Sequence, residues 1–137
     1  MTDDQRLRHA LAWSGGAAIA ISVVQLGLAS SGPMTGHLWI VIGASFAGQI
    51  AALIAAALIL TGMLRSQDIE VIGSKLTRLI PLGLTGLAVT LLLALIVGSI
   101  QLGFVNGLVA AAIGAVLGLQ GVAGIWIGSR SLAGTPT

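Results

Sequence analysis

Four long apolar runs, separated by short polar or glycine-rich breaks, organise this chain: Ala10 to Ala29, Leu38 to Leu64, Leu79 to about Gln101, and about Asn106 to Gly128. At about 1.5 Å of rise per residue, each run is long enough to cross the roughly 30 Å hydrocarbon slab as a helix. The second reaches roughly 40 Å, so tilt or protrusion is expected there. The pattern predicts an all-α polytopic membrane protein: one domain over residues 1–137, with spans at 10–29, 38–64, 79–101 and 106–128 and a connector at 65–78. Turn formers from Ser30 to His37 join the first two spans. Gly103 can close the third helix in the left-handed conformation while Asn106 caps the fourth. Both pairs therefore read as tight antiparallel hairpins.

The connector has its own pattern. Ile69, Ile72, Leu76 and Leu79 recur on a helical period, with Asp68 and Glu70 early and Lys75 and Arg78 late, as a helix dipole favours. This predicts a short interfacial helix weakened at Gly73, an elbow lying on the headgroups. Pro81 suits the first turn of the third span if that helix begins near Thr77 or Ile80.

Composition agrees with the pattern: 56% of residues are hydrophobic and 7% charged, with a mean hydropathy of +1.06, well outside soluble averages. Every charge falls on one side of the map: Asp3, Asp4, Arg6 and Arg8 before the first span, Arg65, Asp68, Glu70, Lys75 and Arg78 between the second and third, and Arg130 after the fourth. Because short loops bearing Lys and Arg stay in the cytoplasm, both termini are expected there, in a bacterial cytoplasmic membrane. Trp13 and Trp126 near the inner ends and Trp39 near the outer end fit interfacial anchors. The first apolar run is longer than that of a signal peptide, so cleavage after Ala29 is not expected. A formal net charge of only +2 argues against a nucleic-acid partner. Without cysteine there is no disulfide framework and no thiolate nucleophile or metal ligand.

Overlaying the halves aligns all four glutamines that lie in the spans or at their ends. Leu11-Ala12-Trp13-Ser14 with Gln25-Leu26-Gly27 matches Leu87-Ala88-Val89-Thr90 with Gln101-Leu102-Gly103 at one constant offset. Ile42-Gly43-Ala44 with Gln49, Ala52 and Ile54 matches Ile113-Gly114-Ala115 with Gln120, Ala123 and Ile125 at another. The expectation is two tandem hairpins forming a parallel repeat about a pseudo-twofold axis along the membrane normal, not an inverted repeat.

Small residues mark the expected packing faces. Gly107, Ala111, Gly114, Gly118, Gly121, Ile125 and Gly128 form a seam at alternating steps of four and three, and Ala44, Gly48, Ala51, Ala55 and Gly62 form a comparable small-xxx-small face on the second span. These two spans are the expected close-packed pair. Gln49 and Gln120 point roughly 130 to 140° away from those faces, and an amide in hydrocarbon needs another span, a water-lined cavity or a second protein.

Catalytic chemistry is thin. No Asp, Glu, Lys, Arg or His lies in mid-span, which leaves no candidate for coupling through a membrane carboxylate. His9 and His37 lie at opposite interfaces and cannot jointly clamp a haem. Ser14, Ser22, Ser45, Thr61, Thr85 and Thr90 have no neighbouring general base and are expected to bond backbone carbonyls or a facing helix. The reading is therefore not an enzyme, with no catalytic, cofactor or metal residues. It is an accessory subunit of a membrane protein complex, respiratory or transport, partnered by lipid and by other subunits or itself. The alternative is a small uncharged-solute channel or uniporter whose oligomer lines a path with Gln25, Gln49, Gln101 and Gln120, with a regulatory lipid-binding module third.

Overall fold

The structure, a computed structural model, describes residues 2–30 and 35–133; residues 31–34 of the expected first loop lie outside them. Four long helices account for nearly all of this: α1 (Asp3–Ser30), α2 (Thr35–Leu64), α3 (Ile69–Leu102) and α4 (Phe104–Ala133). All four are long and apolar enough to cross a membrane. They form a four-helix bundle in which α2 and α4 lie side by side, α1 and α3 flank that pair, and α1 and α3 hardly meet.

The contacts give the directions. Gly114 of α4 faces Val41 and Ala44 of α2, and Gly121 faces Gly48, so these helices run parallel. Gly124 faces Trp13 and Ala17 of α1 while Gly128 faces Ala10, so α1 runs antiparallel to α4 and hence to α2; Gly83 and Gly86 of α3 meet Ala51 and Ala47 of α2, so these two are antiparallel as well. The start of α1, the end of α2, the start of α3 and the end of α4 thereby share one end of the bundle, and that end carries all the charges.

The sorting of side chains is inverted relative to a water-soluble bundle. Inside are small residues and a few branched ones, with Ala44, Ala52, Ala55, Ala111, Ile21, Ile59, Ile72, Leu76 and Ile125 fully buried. Outside stand Ile19, Leu26, Leu53, Leu60, Leu82, Leu92, Ile96, Ile113 and Val116, all exposed. A coat of this extent on every helix is stable against lipid, not water. Two buried clusters, one around Ile59, Ile72 and Leu76 at the charged end and one around Ile21, Ile40 and Leu117 farther along, sit on either side of the glycine crossing of α2 and α4.

Three local expectations need correction. The connector forms no separate elbow: α3 runs unbroken through Gly73 from Ile69, a 34-residue helix about 51 Å long. Ile72 and Leu76, fully buried, hold its first turns against the bundle, and Pro81 lies inside it and not in its first turn. The chain reverses instead at Arg65–Asp68. Gln67 N–H donates to Gly62 O (2.9 Å) and Ser66 N–H to Met63 O (3.3 Å), with Ser66 at φ 53°, a Schellman cap on α2. Between α3 and α4 only Gly103 intervenes, at φ 87° and ψ 159°. That conformation is a glycine-only extended one, not the left-handed helical one. Asn106 lies within α4, and its amide donates back to Leu102 O at the end of α3 (3.3 Å).

Candidate functional site

The expected packing residues Ala44, Gly48, Ala51, Ala55, Gly107, Ala111, Gly114, Gly118, Gly121 and Gly128 are all buried. Between α2 and α4 the backbones touch: a Cβ on Gly48 would run into the Gly118 carbonyl, and one on Gly121 into the Gly48 carbonyl. The α4 seam does not serve α2 alone. Gly107 packs on Gly98 of α3, Gly114 and Gly121 on α2, Gly118 on both Leu87 of α3 and Ser45 of α2, and Gly128 on Ala10 of α1. The most buried helix of the four thus divides one small stripe among three neighbours. Gly98, Gly83, Gly124, Ala10 and Ala17 join these contacts without having been singled out by spacing.

The glutamines separate into two kinds. Gln49 of α2 donates to Ser22 Oγ of α1 (2.7 Å), and Gln25 of α1 donates to Ser45 Oγ of α2 (2.9 Å). Each serine hydroxyl donates in turn to its own helix backbone, Ser22 to Ala18 O and Ser45 to Ile42 O. Two reciprocal amide–hydroxyl links therefore tie α1 to α2, and each hydroxyl acts as acceptor and donor at once. A signal for this was present: Ser precedes Gln in α2 and in α1, so an antiparallel hairpin sets each serine against the other helix's glutamine.

Gln101 and Gln120 are exposed and make no hydrogen bond with any described residue. Gln101 lies near the end of α3, whereas Gln120 sits in mid-helix, roughly 24 Å along α4 from Phe104. Gln49 and Gln120 share a level, since Gly48 lies against Gly118 and Gly121, but they do not bond each other. Gln120 instead lines an open groove of about 550 Å³ between α1 and α4, walled by Ala12, Gly16, Ala17, Ala20 and Ala123. The four glutamines do not converge on one cavity of the single chain.

The hydroxyls also divide. Thr90 Oγ1 bonds Leu87 O (3.0 Å) and reaches Ala44 O of α2 (3.4 Å). Contrary to expectation Ser14, fully buried and near Gly128, has no partner for its Oγ among the described residues. Thr61 and Thr85 are exposed. At the charged end Asp4 pairs with Arg8 (3.0 Å), and the Arg130 guanidinium stacks 4.8 Å from the Trp126 ring centroid, a cation–π contact. Comparison of the chain with protein-family models, with curated proteins and with solved structures returned no match.

Proposed function

We propose that this chain is a non-catalytic integral membrane subunit that packs into or stabilises a larger membrane protein complex, docking through the α1/α4 groove. One observation carries the reading: Gln120, exposed and unpaired in mid-helix, stands beside a groove walled mainly by alanine and glycine, with Trp13 and Ile127 among its lining. Hydrocarbon offers an amide no hydrogen bond, and small side chains let a foreign helix backbone approach, so a partner span satisfies both features. The hydroxyls of Ser22, Ser45 and Thr90 are committed to glutamines or backbone carbonyls, which supports a packing role over nucleophilic chemistry.

In this reading the charged end is cytoplasmic, with both termini inside, and the hairpins α1–α2 and α3–α4 are tandem repeats about an axis between α2 and α4. The parallel central pair and the flanking positions of α1 and α3 support that arrangement. The repeats differ in their polar partners: where the first hairpin has Ser22 and Ser45, the second has Gly98 and Val116. Its helices close on a glycine contact, Gly98 against Gly107, and its glutamines are left for another protein.

The test is gentle-detergent co-purification of the Gln120→Leu, Ala20→Leu double variant, with mass spectrometry of the partners and thermal unfolding of the chain. A variant that stays folded and loses its partners is the expected result. A complex retained unchanged would overturn the docking reading. So would solute flux in reconstituted vesicles that disappears on Gln120→Leu with assembly intact, which would promote the solute channel or uniporter.

A further inference from the structure

At the charged end, the starts of α1 and α3 and the end of α4 enclose an open cleft of about 340 Å³. Arg6 lines it from α1, Glu70 and Ser74 from α3, and Ser129 from α4, with Gly73 and Leu132 between them. Arg6 and Glu70 bring opposite charges into one cleft, yet neither forms an ion pair with another described residue; the nearby pair is Asp4 with Arg8. Asp68 gives α3 no side-chain cap, which leaves the first N–H groups of that helix open beside Glu70. Ser129 Oγ donates to Trp126 O (2.8 Å) and keeps its lone pairs as acceptors. Gly73 is not needed for packing, because a Cβ there would meet Leu132 Cβ at an ordinary 3.6 Å. A longer side chain would occupy the cleft.

Unlike charges held apart in one cleft suit a ligand that carries both signs a few bonds apart. At the depth of lipid headgroups, the geometry points to a phosphoethanolamine headgroup, that of a zwitterionic phospholipid in the leaflet at the charged end. The Arg6 guanidinium takes the phosphate in a bidentate grip, helped by the open N-terminus of α3. Glu70 accepts from the ammonium, whose three N–H donors also reach the serine oxygens. The apolar outer faces of the helices beyond the cleft carry the acyl chains. A phosphatidylglycerol headgroup would set a second anionic ligand against Glu70, and a choline headgroup has no N–H to donate. The inference rests on the charged end lying at the headgroups and is independent of Gln120, which sits in mid-helix on a different groove.

Native mass spectrometry of the full chain, released from micelles holding equal amounts of phosphatidylethanolamine, phosphatidylcholine and phosphatidylglycerol, tests it. The unaltered chain should retain phosphatidylethanolamine over either competitor by about tenfold, the scale of one charge-assisted hydrogen bond. Arg6→Gln should weaken retention of all three lipids alike, whereas Glu70→Gln should abolish the preference and shift it toward phosphatidylglycerol. Gly73→Leu should exclude the lipid; if that variant fails to fold, the two charge variants decide alone. Equal retention of phosphatidylglycerol by the unaltered chain, or retention unchanged in both charge variants, overturns the assignment. Water-soluble glycerophosphoethanolamine binding as tightly as the lipid would overturn the bilayer source.

Discussion

Single side chains decide how α1 meets α2. Ser22→Ala would strand the Gln49 amide in an apolar interface and should destabilise the bundle by about 1 kcal/mol, the upper range for such bonds between membrane helices. Adding Gln49→Leu should recover part of that loss, because the cost lies in the unpaired group more than in the missing bond. Detergent-titrated unfolding of the two single variants and the double one measures the coupling; strict additivity would remove the link between the two residues. Ser14 presents the opposite case. Its buried hydroxyl is unpaired, so Ser14→Ala should stabilise by about 1 kcal/mol in the same assay, and a loss of stability would show that the hydroxyl has a partner.

Helix elements meet where glycine permits. Gly48→Ala would drive a methyl into the Gly118 carbonyl, backbone against backbone, and should cost about 2 kcal/mol or more. Gly43 has nothing within 4 Å of its absent Cβ, so Gly43→Ala should lie within about 0.5 kcal/mol of the parent. Comparable unfolding midpoints for the two would discard the glycine crossing as the determinant of the α2/α4 approach. The α3 helix shows why local signals misplace boundaries. Gly73 weakens a helix in isolation, but burial of Ile72 and Leu76 on either side of it outweighs a propensity cost of about 1 kcal/mol and carries the helix through.

For the whole molecule, the antiparallel arrangement of sequence neighbours gathers the charges at one end, and the topology proposed from them is directly testable. The chain has no cysteine, so single cysteines at Ser66 and Asn106, both exposed at opposite ends of the bundle, report side without background. In inverted and right-side-out vesicles, an impermeant thiol reagent should label Ser66→Cys from the cytoplasmic face and Asn106→Cys from the other. Labelling of both from one face would overturn the four-span topology.

The four helices were legible in the sequence because twenty or more consecutive apolar residues have one stable solution in hydrocarbon, where every backbone group must bond within its own segment. Small residues on a helical period mark where backbones can approach, and the small residues of the α2 and α4 stripes are buried. Periodicity could not say which neighbour each part of the α4 stripe meets. A stripe specifies a face, whereas its division among α1, α2 and α3 depends on how all four helices cross. Nor could it say which glutamines find partners: four amides aligned by overlaying the two halves of the sequence become two bonded to serines and two exposed. That outcome depends on what stands opposite each amide, Ser22 and Ser45 in one hairpin and glycine and valine at the matching positions of the other. Only the packed bundle brings those opposing residues together.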